Sequence, residues 1–268
     1  MTIIDDIFKN YNKKLQVFQK LTKFFNKSLL YDLDASNYLL NRGLTKSTIE
    51  TFSIGYDKSA SSLQQFIEKE NIDIVDLEEL GVLTKNEDGS YYDKFVRRII
   101  FPVFDLKGNV IAFSGRVYKK DDNRSKYITS NLSEVFQKSL SLYGFYQSLQ
   151  NIIKYKAVFI VEGNIDVNMC YQEGIKITVG PFGTSFMEEH FLLLKQFADT
   201  FIFCLDNDEG GKKSEERIRK MLENETDTKI GYLHLEGVKD PDEFIQNYGI
   251  TPLVNTIIEM KNELQGIV

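Results

Sequence analysis

The chain has 268 residues, 42% of them hydrophobic and 27% charged, with a formal net charge of −6, the length and balance of a soluble globular protein with a sizeable core in one large domain or two ordinary ones. No run approaches the ~18 apolar residues of a membrane span, and the opening MTIIDDIFKN lacks the parts of a secretory signal. The acidic balance excludes a generally basic nucleic-acid coat, but not an enzyme whose metal-binding carboxylates lower the charge themselves.

From residue 11 to residue 30 the pattern is helical, with Leu15, Phe18, Leu21 and Phe25 at three- and four-residue spacing and lysines between them. A second helix is predicted over 35–40, stopped by Gly43, and a third after Thr45 as N-cap, with Thr48, Ile49 and Phe52 inward. Residues 91–115 change character: FVRRIIFPVFDLKGNVIAFSGR is rich in β-branched and aromatic residues around a DLKGN turn, and reads as a hairpin. KYITS is a further short strand, and 134–153 reads as mostly helix. Beyond residue 155, strands at 157–161, 176–179, 201–205 and 230–235 alternate with helices near 165–173, 187–198 and 212–223, which implies right-handed βαβ units and a parallel sheet. The boundary near 155 rests on this change of rhythm. Cys170 and Cys204 lie inside apolar patterns and read as buried, reduced thiols of a cytoplasmic protein; with two distant histidines they exclude a zinc finger or ribbon.

In a parallel sheet, ligands bind beyond the carboxyl ends of the strands. VFIVEGNIDV closes its strand with Glu162 and places Asp166 four residues on. FIFCLDNDEGG puts Asp206 and Asp208 at the end of the third strand, and LHLEGVKDPDEF sets Asp240 and Asp242 past the fourth. A lone Asp after a strand is usually a turn former or helix cap; acids at three strand ends of one sheet call for a common explanation. Carboxylates so close together repel unless a pKa rises or a cation binds. Oxygen donors without His or Cys favour Mg²⁺ or Mn²⁺, ions that clamp phosphates in phosphoryl and nucleotidyl transfer, often in pairs. The glycines at 163, 210 and 211 allow close approach of backbone and metal.

VEGNIDV, GPFGTS, CLDNDEGG and KDPDEF, in this order, resemble the Toprim domain of topoisomerases, primases and related nucleases. YLLNRGLTKSTIETFSIGY, YYDKFVRRIIFPVFDLKGNVIAFSGR, KYITS and VFQKSLSLYGF upstream are similar to the RNA-polymerase core of bacterial and phage DnaG-type primases, so the resemblance runs from about residue 11 to 248. It implies an α/β protein: an N-terminal α+β primase-core subdomain (1–154, basic, template-binding), a Toprim metal-binding domain with a parallel sheet flanked by helices (155–245), and a short helical C-terminus (246–268). By the same resemblance Glu162 serves metal binding and acid–base work with Asp166 as second acid, Asp206 and Asp208 form the DxD pair, and Asp240 and Asp242 are the DPD acids. Arg98, Arg116, Lys126, Tyr127 and Lys138 match positions that contact nucleotide or nucleic acid. Val96 stands where the basic strand usually has its first arginine, with Arg97 in the neighbouring slot; Asn164 replaces an aromatic, Asn207 a glycine, and Ser139 a glycine.

The implied activity is DNA-directed synthesis of short RNA primers on single-stranded DNA from ribonucleoside triphosphates, with two or more Mg²⁺ or Mn²⁺ ions and no zinc in this chain. Without the family's zinc and helicase-docking modules, the sequence reads as an excised core or a compact phage- or plasmid-type primase. Partners would be a replicative helicase or a separate zinc-bearing module, in the cytoplasm of a bacterial or phage-infected cell, with no membrane. Three rivals remain open from the residues. One is a Toprim nuclease using the same acids to activate water. Another is a haloacid-dehalogenase-type phosphatase with Asp206 as nucleophile, disfavoured by its third-strand position. The last is a partner-dependent nucleic-acid-binding core inactive alone. Neither GxGxxG nor GxxxxGK[ST] occurs.

Overall fold

The computed structural model describes residues 3–119, 121–183 and 185–266, so Thr184 of GPFGTS lies outside the described residues. The chain forms two compact units, residues 1–138 and 139–268.

The first unit opens with α1 (Ile3–Leu30), which begins eight residues before the helix expected from residue 11. α2 (Leu33–Asn41) starts on Asp32, whose carboxylate accepts the Ala35 N–H, and α3 (Lys46–Thr51) starts on Thr45, whose hydroxyl accepts that of Thr48; each such cap contributes about 1 kcal/mol. Then follow β1 (Gly55–Asp57), α4 (Ala60–Glu70), α5 (Ile74–Glu79), β2 (Leu83–Lys85) and β3 (Tyr91–Asp93). The expected hairpin is β4 (Arg98–Phe104) and β5 (Val110–Arg116), turned by Asp105, whose Oδ1 accepts the Lys107 and Asn109 N–H groups. β6 (Tyr127–Thr129) is the KYITS strand. These strands form an antiparallel sheet ordered β1-β4-β5-β6, while β2 and β3 pair separately, so residues 91–93 stand outside the hairpin. Phe113 of β5 meets Phe18 and Phe25 of α1 edge-on, with centroids at 5.1 and 5.4 Å, and helix and sheet are joined through that aromatic core.

In the second unit the helix expected over 134–153 is corrected. Lys138–Leu140 is a single 3₁₀ turn, β7 (Leu142–Tyr143) is a strand, and α6 (Phe145–Tyr155) begins only after Gly144, at φ 79°. The apolar residues before Gly144 serve an edge strand, which pairs antiparallel with the end of β9. β8 (Ala157–Ile160), α7 (Asn164–Gln172), β9 (Thr178–Pro181), α8 (Glu188–Lys195), β10 (Thr200–Phe203), α9 (Glu209–Met221) and β11 (Lys229–Tyr232) then alternate as expected. α10 (Pro241–Tyr248) and α11 (Ile250–Gln265) complete the unit. The sheet order is β11-β10-β8-β9-β7, parallel except for β7. β8, β9 and β10 are buried throughout, which explains their unbroken apolar runs. Cys170 and Cys204 are buried and unbonded. Among the described residues no helix is long and apolar enough to cross a membrane.

Candidate metal centre and nucleic-acid contacts

The chain passes from β8 to β9 on one side and then to β10 on the other, so β8 and β10 flank the topological switch point where open α/β sheets bind ligands. Their register, Ile160 beside Phe203, brings the residues just beyond each strand together. Glu162 follows β8 and its Oε2 accepts the Asp206 N–H at 3.4 Å. Burial first, then the nearby Asp206 charge, push the Glu162 carboxyl up, opposed by a hydrogen bond with Ser214. Asp206 is raised chiefly by burial, against the pull of Lys239, whose Nζ lies 3.0 Å from Asp206 and 3.4 Å from Asp208. Asp208 caps α9, accepting the Gly210 and Gly211 N–H groups at 2.9 and 3.0 Å; those bonds hold its carboxyl below the usual range. It therefore does the ordinary work of an N-cap and still presents a second oxygen.

A second group forms where α7 meets α10. Asp166, in the first turn of α7, accepts the Asp242 N–H at 3.2 Å, and Asp166, Asp240 and Asp242 each offer an oxygen within 4.8 Å of the others. Asp240 also caps α10 through the Glu243 N–H, and Asp242 accepts from Gln246 at 2.7 Å. Burial, followed by the charges of Asp240, Asp206 and Asp242, pushes the Asp166 carboxyl well up. Asp166 has no basic partner among the described residues. An oxygen-only cluster with Asp166 and Asp242 buried and Asp240 half-buried fits a hard divalent cation. The six acids thus form two adjacent groups, Glu162–Asp206–Asp208 and Asp166–Asp240–Asp242, linked by the charge interaction between Asp166 and Asp206.

Two residues of this centre are not among the expected site residues, Asn207 being marked only as a departure from glycine. Lys239 bridges the Asp206–Asp208 pair and offsets one of its two charges. Asn207, between those acids, donates its backbone N–H to the Lys239 carbonyl at 2.7 Å and its amide to Leu235 and Val238, tying the two acidic loops together. A lysine preceding DPD, or an amide inside DxD, reads from sequence as an ordinary loop residue.

Of the basic positions, Arg98 is turned inward. It is 3% exposed, and its guanidinium donates to the carbonyls of Gly115 and Ser125, joining β4, β5 and the segment before β6. Its neighbour Arg97 is exposed and held at φ 59°, its N–H donated to the Asp57 carbonyl at 2.6 Å. Arg116 lies over the Tyr127 ring, 5.2 Å from its centroid, and bonds the Tyr127 hydroxyl; Lys126 is exposed beside them. Lys138 opens the 3₁₀ turn rather than sitting in a helix, close enough to Lys94 to lower it, after burial.

Residues 17–149 match the family model for the N-terminal domain of the DNA primase catalytic core, and 159–245 a Toprim-like model. The E. coli primase catalytic core superposes with a TM-score of 0.81 at 30% identity, over 91% of this chain and 79% of that one. The chain belongs to the DnaG-type primase catalytic-core family. A DnaG primase catalytic domain bound to single-stranded DNA is similar at 28% identity and TM-score 0.83, over 94% of this chain and 82% of that one. The DNA primase of Enterococcus faecalis is 34% identical over 226 residues, which is 82% of this chain and 36% of that protein. The chain thus spans little more than a third of that relative's length. Within the DnaG-type family, both halves of this core and their order are those of the solved catalytic domains, and the two acidic groups lie in the Toprim half.

Proposed function

We propose that this chain is the RNA-polymerase core of a DNA primase, joining ribonucleotides into short primers on single-stranded DNA with the help of divalent metal. The observation that carries the reading is the convergence of Glu162, Asp206 and Asp208 at the switch point of the Toprim sheet, beside the Asp166–Asp240–Asp242 group. Mg²⁺ or Mn²⁺ held by these carboxylates would neutralise the triphosphate and lower the pKa of the attacking hydroxyl. In each step the primer 3′-oxygen forms a bond to the α-phosphorus, the bond to the β-phosphate bridge breaks, and pyrophosphate leaves. Glu162, whose carboxyl is raised chiefly by burial, would be the group that takes the proton from the 3′-hydroxyl. Asp208 orients the α9 end of the loop and Asn207 holds it against the DPD segment.

In the first unit, Arg116, Lys126 and Tyr127 share the β5–β6 edge and supply phosphate donors with one aromatic face, the chemistry a template backbone and nucleotide require. Arg97 and Lys138 add charge, while Arg98 acts by holding that edge in place. The similar catalytic domain bound to single-stranded DNA supports the choice of template. A helicase or zinc-bearing partner would supply start-site choice and recruitment.

The test is ribonucleotide incorporation on mixed-sequence single strands with Mg²⁺ or Mn²⁺. Asp206→Asn and Asp208→Asn should each reduce it by at least ~10²-fold. Unchanged synthesis in both variants overturns the mechanism; DNA cleavage without any need for NTP would replace it with the nuclease reading.

A further inference from the structure

α1 distributes its lysines unevenly. Lys13 pairs with Asp76 at 2.8 Å, Lys14 with Glu79 at 2.9 Å and Glu134 at 3.3 Å, and Lys20 with Glu70 at 3.2 Å. Lys23 and Lys27, in the last two turns, and Lys69, at the end of α4, are exposed and meet no acid among the described residues. Together with Lys58, these three line one hollow, whose remaining wall includes Phe24, Tyr31 and Phe66. The acid in that wall, Glu70, is already held by Lys20, and Lys58 reaches Asp32 at 3.6 Å.

The aromatic residues are arranged in two ways. Phe24 and Phe66 stack on each other, with centroids 4.5 Å apart and planes 24° from parallel, and form a half-buried floor. Tyr31, just past the end of α1, is 74% exposed, beside Leu30 at 76%. In a chain of net charge −6, unneutralised cations gathered around an open aromatic ring mark a surface for a polyanion that also offers flat apolar faces. An acidic peptide satisfies the lysines and leaves the ring without a planar partner. Unpaired nucleotides satisfy both, since every base has a π-face and every linkage a charge.

We propose that the α1–α4 hollow is a second, sequence-independent contact for single-stranded nucleic acid, in which Lys23, Lys27 and Lys69 meet phosphates and Tyr31 stacks on an unpaired base. It uses different elements from the β5–β6 edge. It shares with the proposed function only the class of ligand, and needs neither metal nor triphosphate.

The experiment measures binding of the full chain to a fluorescent 20-nucleotide oligo-dT by anisotropy, in EDTA, across a range of salt. Because every substituted side chain is exposed, unaltered thermal melting should accompany the variants. The triple variant K23Q/K27Q/K69Q should bind more weakly and flatten the slope of log K against log salt by about 2, as expected for three lost phosphate contacts. Tyr31→Ala should weaken oligo-dT binding by roughly tenfold, yet leave binding to an abasic strand of equal length unchanged. Parent-like affinity and slope in the triple variant overturn the proposal. So does an equal loss on the abasic strand, or displacement of the oligonucleotide by polyglutamate at equal charge. Asp206→Asn separates the two readings, because it should cut synthesis by at least ~10²-fold and leave this binding intact.

Discussion

Replacing Gly211 with alanine sets two physical effects against each other. Gly211 lies in the first turn of α9, where alanine should gain up to about 1 kcal/mol from helix propensity alone. A Cβ there, however, would fall 1.8 Å from the carbonyl oxygen of Asp206 and 2.7 Å from its carbonyl carbon. Both are backbone atoms, so no rotamer change relieves the clash. The contact must open by more than about 1 Å to reach even a tight van der Waals separation. Overpacking of this kind costs roughly 1–3 kcal/mol, which exceeds the propensity gain at most of its range and leaves a net loss of about 1 kcal/mol. Activity should suffer more than stability, because the atom displaced belongs to Asp206 itself, and a shift near 1 Å can reduce rate by ~10²-fold. Urea denaturation and metal-dependent ribonucleotide incorporation read the two effects. Gly210→Ala is the milder comparison: its Cβ meets a side-chain oxygen of Asp208 at 3.1 Å, relieved by a shift of a few tenths of an ångström with no backbone clash, so both losses should be smaller than in Gly211→Ala. A Gly211→Ala protein that is more stable than the parent and equally active would refute the reasoning.

Three further outcomes are expected. Lys239→Met removes the ammonium group shared by Asp206 and Asp208 and should tighten Mn²⁺ binding several-fold by calorimetry; unchanged or weaker binding refutes competition between lysine and metal. Asp57 and Asp93 are buried against each other, and burial first, then the partner's charge for Asp57, raises both carboxyls. Groups raised above the unfolded value near ~3.9 contribute stability that is present below that pH and lost as pH climbs through the folded values. Asp57→Asn should therefore lose less stability than the parent as pH rises above ~4, and parallel urea-derived curves would contradict this. Phe113→Ala empties the centre of the first unit, where Phe113 also meets Phe95 at 6.2 Å, and should cost about 3–5 kcal/mol; a loss below ~1.5 kcal/mol would show that α1 collapses onto the sheet.

What could be read from the sequence follows the range of the forces involved. The helices around Phe18 and Phe25, the β4–β5 hairpin and the β8–β11 alternation are local patterns, and each was legible. β1 was not: it has three residues, and its partners Arg98 to Ile100 lie some forty positions on. The stretch before Gly144 misled for the same reason, because spacing that suits a helix also suits a two-residue edge strand once Pro181 and Gly180 are beside it.

The metal centre shows the same division at finer scale. The types of the six acids and their places in the segments that follow β8, β10 and β11 were legible, since both depend only on the order of strands and connections. Their partition was not. Asp166 faces Asp242 rather than Glu162 because α7 packs on α10 and the Asp242 N–H needs an acceptor there. Asp206 and Asp208 face Lys239 because Asn207 pins its loop to the DPD segment through three hydrogen bonds. Asn207, which sequence comparison marks only as a departure from glycine, is thus the residue that sets where the lysine sits. Its replacement by glycine removes the two side-chain bonds and keeps the backbone one, so it should loosen the loop and the Asp206–Lys239 pair and shift metal affinity part of the way toward that of Lys239→Met. If Asn207→Gly binds Mn²⁺ as the parent does, the pinning bonds are a consequence of the loop's path and not its cause.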